Sequence, residues 1–314
     1  MSEKPALIII SGPTGVGKTD AAIAAAEPLG AEIVSADAMQ VYKHMDIGTA
    51  KPTREQQQRV RHHLIDVVDP DQPFSAALFK EMAGACIENL HQKGCPVFVV
   101  GGTGLYIKAL TRGLFPAEGP DDAIREKLRQ EVETSGLEAL YQRLRMVDPA
   151  AAQRIHPNDT YRIIRALEVH QATGKPISRH QKNHGFHDAA YRTLSIGLTL
   201  DRPVLYDRID KRVDLMLASG FMEEVKGLLD QGYSSTLKSM RSIGYRHLAD
   251  YLEGRVPWDE TVSLFKRDTR HYAKRQLTWF KADPDIEWLE PGRADEMRQK
   301  IDSFLVREMS VASH

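Results

Sequence analysis

The chain has 314 residues, a formal net charge of −1, and 42% hydrophobic and 27% charged residues. This length and composition predict a globular protein with one large domain and a smaller domain or insert, and they exclude a largely disordered chain. The two cysteines, Cys86 and Cys95, fit neither a disulfide framework nor a zinc pattern. No apolar run approaches the roughly 20 residues that a membrane span requires, so we expect a cytoplasmic protein.

Short apolar runs alternate with helical stretches along much of the chain. The predicted strands are apolar and rich in branched residues, and they cover residues 6–10, 32–35, 96–100, 194–200 and 286–289. Continuous apolar runs are typical of strands that are buried on both faces of a parallel sheet. The alanine-rich stretch from Asp20 to Leu29 predicts a helix, which Gly30 ends. Strands separated by helices predict a doubly wound α/β sheet.

The residues between the first predicted strand and the first helix match the phosphate-loop pattern G-x-x-x-x-G-K-[ST] at every fixed position. Glycines in such a loop let backbone N–H groups surround phosphate oxygens, and the helix N-terminus adds positive charge. We predict that the whole loop binds a di- or triphosphate, namely Gly12, Pro13, Thr14, Gly15, Val16, Gly17, Lys18 and Thr19. Lys18 would supply a mobile cation, and the hydroxyl of Thr19 would bind Mg²⁺. The loop alone leaves the phosphate compound open, and most loops of this kind bind ATP or GTP.

Asp37 follows the second predicted strand. Ligands of an open parallel sheet bind beyond the carboxyl ends of its strands, so we expect Asp37 to lie near the phosphate loop. A carboxylate in that place can hold Mg²⁺ or accept a proton from a nucleophile, and it can also simply cap a turn or helix. Gln40 and Lys51 in the same neighbourhood favour a functional role.

The third predicted strand runs into Gly101-Gly-Thr-Gly-Leu-Tyr106. These glycines permit a sharp exit from the strand and a close approach of the backbone to a ligand. Thr103 would then lie at the same edge of the sheet as Lys18 and Asp37. A simple strand-to-helix turn is the alternative.

Residues 113–191 differ in character from the segments on either side. Apolar residues recur there at helical spacing, as at Ile124, Leu128 and Val132, and no convincing buried strand is present. We therefore predict a mainly helical insert at 113–191, between two parts of an α/β core at 1–112 and 192–314.

Local basic clusters occur although the whole chain is neutral. Residues 238–281 hold ten lysines and arginines against five aspartates and glutamates, and they include three aromatic residues that can stack on unpaired bases, Tyr245, Tyr272 and Trp279. In the predicted insert, Arg162 and Arg165 share a helix face. Such residues can contact nucleic-acid phosphates, but charge alone favours ordinary solvated helix surfaces.

Arg208 and Arg212 are four residues apart on one predicted helix. Arginines in this arrangement can close over a diphosphate from the side opposite the loop. The alternative is that they form surface pairs with Asp207 or Asp210.

Taken together, these motifs resemble those of the tRNA dimethylallyltransferase family. The matching stretches appear in order along most of the chain and comprise residues 12–19, 35–42, 46–52, 63–66, 101–106 and 273–280. The phosphate loop is generic, whereas Asp-Ile-Gly-Thr-Ala-Lys-Pro at 46–52 and Ala-Lys-Arg-Gln-Leu-Thr-Trp-Phe at 273–280 are highly specific.

The resemblance implies a P-loop NTPase-like core and a reaction without ATP. Dimethylallyl diphosphate would lie on the loop with Mg²⁺, and the N6 amine of the adenine just 3′ of a tRNA anticodon would displace pyrophosphate. Asp37 would act as general base, with Lys18 and Arg212 as further catalytic groups, and Arg208 and Arg212 would contact the donor diphosphate. The expected RNA partner is the anticodon stem-loop, and we expect a monomer.

The resemblance also implies a set of tRNA contacts at six places along the chain. The residues concerned are Asp37, Ala38, Met39, Gln40, Thr103, Arg125, Tyr161, Arg162, Ile163, Ile164, Arg165, Arg241, Ser242, Ile243, Gly244, Tyr245, Arg246, Lys274, Arg275, Gln276, Leu277, Thr278, Trp279, Phe280 and Lys281. Family members commonly carry serine where Ala38 stands, so a side-chain hydroxyl contact is absent at that position.

Two other classes of protein compete with this interpretation. An ATP-dependent small-molecule or nucleotide kinase would share the phosphate loop, but it has no reason to keep the stretches at 46–52 and 273–280. A non-catalytic RNA-binding module would not need Asp37.

Overall fold

The computed structural model describes residues 4–114, 122–184 and 190–311. The chain divides into two compact units, Met1–Thr111 with Ala190–His314, and Arg112–Ala189. The first unit, the α/β core, holds a parallel sheet with helices on both faces. The second unit, the insert, has helices and no strand in its described residues.

Six strands form the sheet of the α/β core. They are β1 (Ala6–Ser11), β2 (Glu32–Ser35), β3 (His62–His63), β4 (Val97–Gly101), β5 (Arg192–Leu198) and β6 (Ile286–Leu289). The spatial order is β3-β2-β4-β1-β5-β6, and every neighbouring pair is parallel. The predicted doubly wound α/β architecture is thereby confirmed. Only β3 has no counterpart among the predicted strands, because two residues are too few to show a periodic pattern.

Fourteen helices are present among the described residues. Before the insert lie α1 (Lys18–Ala26), α2 (Arg54–Arg59), α3 (Ala76–Gln92) and α4 (Gly104–Arg112). The insert contains α5 (Asp122–Ser135), α6 (Leu137–Val147), α7 (Pro149–Ala152), α8 (Thr160–Thr173) and α9 (Ile177–His184). The chain then continues with α10 (Arg202–Ala218), α11 (Phe221–Asp230), α12 (Tyr245–Leu252), α13 (Trp258–Lys281) and α14 (Ala294–Val311). None of the helices in the described ranges is long and apolar enough to cross a membrane.

The helix predicted at 20–29 begins two residues earlier than expected and changes form near its end. A short 3₁₀ turn, Glu27–Leu29, follows α1 and contains Pro28. Proline has no N–H to donate to the preceding turn, so the α-helical ladder cannot continue through it. Gly30 then ends the segment in the left-handed conformation, with φ of 59°.

The central strand β1 is buried on both faces. Leu7 and Ile9 belong to a hydrophobic cluster on one side of the sheet, and Ile8 and Ile10 belong to a second cluster on the other side. Successive side chains of a strand point to opposite faces, so an unbroken apolar run lets a strand join two cores at once. This double burial holds the carboxyl end of β1, and the loop that follows it, in a constant position.

The carboxyl ends of β2 and β4 approach each other very closely. A Cβ added at Gly101, the last residue of β4, would lie 2.1 Å from the backbone oxygen of Ala36. The same oxygen accepts a hydrogen bond from the N–H of Thr103 at 3.1 Å. A larger residue than glycine therefore cannot stand at position 101 without separating Asp37 from the turn after β4.

The insert has its own hydrophobic core. Leu128 of α5, Leu140 and Leu144 of α6, and Leu167 of α8 are all buried in one cluster. The helical periodicity of the sequence in this region thus corresponds to a real apolar face.

Candidate active site

The phosphate loop connects β1 to the N-terminus of α1. Gly17 immediately precedes the helix with φ of 96°, a conformation that favours glycine. The first N–H groups of α1 have no acceptor within the helix, and together with the loop amides they form a concave array of donors. Such an array binds anions, and the helix dipole strengthens it.

Lys18 extends back across this loop. Its Nζ donates a hydrogen bond to the backbone oxygen of Pro13 at 2.8 Å. Burial lowers the pKa of Lys18 from 10.5 to about 8, the negative charge of Asp37 opposes this shift, and the positive charge of Arg212 adds to it. The lysine is therefore mainly charged at neutral pH, but it is the cation of the site most sensitive to alkaline pH.

Asp37 lies in the turn that follows β2. Its Oδ1 accepts hydrogen bonds from the N–H groups of Met39 at 2.8 Å and Gln40 at 3.3 Å. Its charge also raises the pKa values of Lys18 and Arg212, which places it near both cations. Asp37 thus caps a local turn, as one interpretation of the sequence allowed, and it faces the basic side of a cavity at the same time.

That cavity has a volume of about 600 Å³ and opens above the phosphate loop. Its basic lining residues are Lys18, Lys51, Arg212, Arg241 and Arg275. Its wall also contains apolar side chains, including Met39, Ile209, Val213, Met216, Ile243 and Phe265. Cavities of this size bind small molecules, and this lining suits a ligand with an anionic part and an apolar part.

Ser242, a residue of the cavity lining, and Thr103, in the turn after β4, carry hydroxyl groups with unused hydrogen-bonding capacity. The hydroxyl oxygen of Ser242 is buried and has no hydrogen-bond partner among the described residues. Thr103, at the neighbouring turn, accepts a hydrogen bond from the N–H of Ala38 at 3.0 Å, which leaves its own hydroxyl hydrogen to donate. An orphaned buried hydroxyl costs free energy, so Ser242 favours a polar ligand atom in this cavity.

Arg208 and Arg212 of α10 do not form the surface pairs with Asp207 or Asp210 that the alternative interpretation suggested. Asp207 pairs with Lys211 at 2.8 Å, and Asp210 pairs with Arg270 at 2.6 Å. Arg212 lines the cavity, and burial lowers its pKa against the attraction of Asp37. Arg208 lies beside the loop, since a Cβ added at Gly17 would be 3.9 Å from its Nη1.

The stretch at 46–52 forms one wall of the cavity and is held in place by an acidic side chain from far along the chain. Glu224, on α11, accepts hydrogen bonds from the N–H groups of Asp46 at 2.9 Å, Ile47 at 2.7 Å and Gly48 at 3.2 Å. The hydroxyl of Tyr245 donates a fourth bond to Glu224 at 2.6 Å. Nothing in the sequence near Glu224 signals this role, because an acidic residue in the first turn of a helix is common.

Lys51 and Gln40 complete the support of this wall. Lys51, with only 5% of its side chain exposed, donates to Asp46 and Asp66 and to the backbone oxygen of Tyr42, each at 2.6 Å. Gln40 donates to the backbone oxygens of the 49–50 segment and accepts from Ser35 at 2.9 Å. These internal hydrogen bonds explain in part why the stretch at 46–52 requires particular residue types.

We expect Glu224→Ala to lower the free energy of unfolding by about 2 kcal/mol, because three backbone N–H groups and one hydroxyl lose their acceptor. Denaturant unfolding measures this change. Glu223→Ala is the matched control: it removes an exposed carboxylate from the same turn, and we expect its effect to stay within about 0.5 kcal/mol. Equal losses for the two variants would contradict the anchoring role of Glu224.

The resemblance implies tRNA contacts for several residues whose side chains are buried or hydrogen-bonded inside the protein. Ile163, Ile164 and Phe280 are buried in the apolar interior of their units, and hydrophobic burial explains their side chains without any RNA. Tyr245 and Gln40 make the internal hydrogen bonds given above. These five side chains support the structure, and a tRNA contact at their positions stays a prediction.

Gln276 is another residue for which the resemblance implies a tRNA contact and whose side chain lies inside the protein. It is 7% exposed, and it hydrogen-bonds Thr14 and Gly102 instead of facing solvent. Leu277 packs against a core cluster. Gly244 is buried as well and precedes α12.

Four of the implied arginines form ion pairs, and one of the four is the exposed Arg162. Arg125 and Arg165 both pair with Glu168, whose side chain is 2% exposed, at 2.9 and 3.1 Å. Arg246 pairs with Asp268. Burial of a carboxylate requires such partners, so the first two arginines hold the insert together.

The remaining implied contacts lie at the surface or on the cavity wall. Tyr161 is 74% exposed. The side chain of Arg162 is also exposed, although it pairs with Asp159. On α13, Trp279 is 44% exposed and covers Gly104, where a Cβ would lie 2.1 Å from its Nε1. The other exposed members are Arg241, Lys274, Arg275, Thr278 and Lys281.

The chain matches known proteins over almost its whole length. A family model described as IPP transferase matches residues 40–283. The chain is 53% identical over 303 residues to tRNA dimethylallyltransferase 2 of Syntrophus aciditrophicus, which covers 96% of this chain and 97% of the relative. It is 51% identical over 303 residues to the tRNA dimethylallyltransferase of Geobacter metallireducens, with 96% and 98% covered.

Solved structures show the same relationship. The crystal structure of the full-length tRNA isopentenylpyrophosphate transferase from Bacillus halodurans has a TM-score of 0.73 and 40% identity, and the match covers 99% of this chain and 100% of that one. A eukaryotic dimethylallyltransferase, described in crystallographic snapshots as acting on tRNA, has a TM-score of 0.77 and 28% identity, with 91% and 74% covered. The resemblance and the fold class predicted from the motifs are confirmed.

Proposed function

The chain belongs to the IPP transferase family, and from this premise we propose that it transfers a dimethylallyl group from dimethylallyl diphosphate to the N6 amine of the adenine just 3′ of a tRNA anticodon. The observation that carries the proposal is one cavity in which the phosphate loop, Lys18 and Asp37 meet apolar side chains. The kinase alternative is not favoured, because the relatives and the structural neighbours are tRNA dimethylallyltransferases and tRNA isopentenyltransferases.

The donor would bind with its diphosphate on the loop. The amides of the loop and the charges of Lys18 and Arg212 would neutralise the phosphoryl oxygens, which makes pyrophosphate a better leaving group. The apolar part of the wall, with Met216 and Ile243, suits the short isoprenoid chain. Arg208 lies beside the loop and would add charge from the outer side.

Asp37 would serve the acceptor. An exocyclic adenine amine is a weak nucleophile, because its lone pair is delocalised into the ring. As its nitrogen forms a bond to the first carbon of the isoprenoid, the bond from that carbon to the diphosphate oxygen breaks, and a proton passes from N6 to Asp37. Oδ1 of Asp37 is held by two backbone N–H groups, and Oδ2 has no hydrogen-bond partner among the described residues, which leaves it to receive that proton.

The residues present fit a magnesium ion. The hydroxyl of Thr19 lines the cavity beside the phosphate loop. When Mg²⁺ binds together with phosphates, it takes only a few oxygen ligands from the protein. No group of three or more His, Cys, Asp or Glu side chains suitable for a metal occurs in the described ranges, so substrate oxygens would complete the shell. Bound there through Thr19, the ion would neutralise diphosphate charge.

The tRNA would approach the exposed residues near the C-terminal end of α13. Lys274, Arg275 and Lys281 can contact phosphates, and Trp279 can stack on a base. The target adenine is stacked in the anticodon loop and must be flipped to reach Asp37. We propose that the protein acts as a monomer in the cytoplasm, where its tRNA substrate would be found.

Transfer of label tests the function directly. The protein is incubated with radiolabelled dimethylallyl diphosphate, Mg²⁺ and unmodified tRNA with adenine next to the anticodon, and we expect label on that adenine alone. A tRNA with guanine at this position is the control and should stay unlabelled. Consumption of ATP with a phosphorylated product, and no label in the RNA, would support the kinase instead.

Donor affinity should fall above pH 8. Burial lowers the pKa of Lys18 in the folded protein from 10.5 to about 8. Its charge is therefore nearly complete well below pH 8 and is lost as the pH rises through this value. We expect the lysine-dependent part of donor affinity to fall by up to about tenfold per pH unit above this value. The unfolded chain binds more protons than the folded one between pH 8 and 10.5, so Lys18 makes the free energy of unfolding rise with pH there.

The difference between wild type and Lys18→Met isolates this effect, because other groups titrate equally in both. Donor binding is measured by equilibrium dialysis from pH 7 to pH 10, and denaturant unfolding over the same range. A wild-type advantage in donor affinity that does not change with pH would contradict the assignment.

A further inference from the structure

Gln276, on the buried face of α13, joins the phosphate loop to the turn that follows β4. Its Oε1 accepts a hydrogen bond from the N–H of Thr14 at 2.8 Å, across 262 residues. Its Nε2 donates to the backbone oxygen of Gly102 at 2.9 Å, across 174 residues. One partner is a donor and the other is an acceptor, so only one orientation of the side-chain amide satisfies both.

The loop and the turn lie beyond the part of the sheet that could hold them together. The ladder between β1 and β4 ends at the pair of Ser11 and Gly101. Among the described residues, no backbone hydrogen bond joins the stretch 12–17 to the stretch 102–104. The side chain of Gln276 therefore supplies a hydrogen-bonded link that the sheet does not.

The turn after β4 is bonded to both chain neighbours of Asp37. The N–H of Thr103 donates to the backbone oxygen of Ala36 at 3.1 Å. The Oγ1 of Thr103 accepts from the N–H of Ala38 at 3.0 Å. Because Gly102 directly precedes Thr103, a continuous path of backbone and hydrogen bonds runs from the phosphate loop through Gln276 to the turn that holds Asp37.

The amide of Gln276 has little room to move. The residue is 7% exposed, and a Cβ added at Gly102 would lie 2.2 Å from its Nε2. The helix is fixed on both sides of this position, because Ala273 and Phe280 are buried. Displacing the amide would leave the N–H of Thr14 and the oxygen of Gly102 without their partner, which costs free energy.

We propose that Gln276 is a positioning residue that sets the distance between the phosphate loop and the turn holding Asp37. The inference rests on the proposed function, in which the loop carries the donor diphosphate and Asp37 receives the proton of the acceptor amine. Transfer requires the first carbon of the isoprenoid and the N6 nitrogen to meet at about 3–3.5 Å, and a misplacement on the order of 1 Å costs about 10²-fold in rate. Gln276 acts through the two segments that it joins.

Gln276→Met keeps the approximate length of the side chain and removes both hydrogen bonds. With protein in excess over tRNA and with saturating donor, we expect the first-order rate constant of transfer to fall by about 10²-fold. The dissociation constants for labelled donor, by equilibrium dialysis, and for tRNA, by filter binding, should each stay within about fivefold of wild type, the size of one lost hydrogen bond. A purely structural role would give another pattern, because unfolded molecules lower the number of binding sites and leave this rate constant unchanged.

Gly102→Ala tests the same contact while Gln276 stays in the chain. The added methyl group would displace the amide of Gln276, and the backbone accepts alanine because Gly102 is not among the residues with positive φ. We expect a loss of rate similar to that of Gln276→Met. The double variant should be no slower than the slower single variant, because both changes remove one and the same contact.

Two further variants test the reach of the side chain and the substitution itself. Gln276→Asn keeps the amide but is one methylene group shorter, so it cannot bond to both partners and should lose about as much rate as Gln276→Met. Gln231→Met is the control, because Gln231 is exposed and its amide bonds to the backbone oxygen of Gly227 at the end of α11. This control should behave as wild type.

A rate constant close to that of wild type in any folded one of the three single variants at Gln276 and Gly102 would overturn the proposal and leave the proposed function standing. So would additive losses in the double variant. Failure of all three to fold would also overturn it, since Gln276 would then act in folding alone. Absence of transfer in wild type would instead contradict the proposed function, and this inference with it.

Discussion

Replacing Asp37 with asparagine should slow dimethylallyl transfer by about 10²–10⁴-fold, the range that a general base contributes. Asparagine keeps an oxygen that can accept the hydrogen bonds from Met39 and Gln40, so the turn after β2 should persist. It cannot take a proton from the adenine amine. The rate of single turnover with saturating donor and tRNA measures the loss.

Binding of tRNA separates the proton-transfer role from a structural one. We expect the affinity of Asp37→Asn for tRNA, measured by filter binding, to stay within about threefold of wild type, because one polar group is exchanged for another of the same shape. Asp230→Asn, at the exposed end of α11, is the control for the substitution itself and should leave the rate unchanged. A near-normal rate in Asp37→Asn would mean that another group removes the proton.

Lys18→Met should lower the rate by about 10²–10³-fold and also weaken donor binding, because it removes a charge placed where negative charge develops on the leaving diphosphate. Methionine has a similar length and an apolar end, so the buried volume is kept. Single-turnover rates at saturating donor give the first effect, and equilibrium dialysis with labelled donor gives the second.

The free energy of unfolding should not fall with activity in the Lys18→Met variant. Burial lowers the pKa of Lys18, which shows that the charge is held at a cost to the folded protein. Removing the charge should therefore leave the free energy of unfolding at pH 7 unchanged or raise it. Lys226→Met, an exposed lysine on α11, is the control and should change neither quantity. If Lys18→Met loses activity only in proportion to lost stability, the lysine has a structural role alone.

The two strongest predictions of the sequence concerned segments that are continuous in the chain. The loop at 12–19 depends on a strand, a glycine-rich turn and a helix that follow one another directly, so its spacing alone predicts its geometry. The same holds for β1, whose unbroken apolar run predicted burial on both faces, as Leu7 and Ile8 now show on opposite sides. The position of Asp37 followed from the general rule that parallel strands present their carboxyl ends at one edge.

The contacts of long polar side chains were less predictable. Gln276 and Tyr245 stand in stretches that the family resemblance assigns to RNA, yet they bond to Thr14 and Glu224 inside the protein. A motif shows that a residue type is required at a position, but it does not show the direction in which the side chain points. Solvent exposure and hydrogen-bond partners decide that direction.

The sequence by itself thus determined the fold class, the anion-binding loop and the family, because these depend on local periodicity and on short motifs. The tertiary structure alone decided which polar residues line the cavity and which support it. Glu224 reaches the N–H of Ile47 across 177 residues, and Gln276 reaches Thr14 across 262. Such pairs form only when distant helices pack on the sheet, and the packing is a property of the whole core, which no local pattern contains.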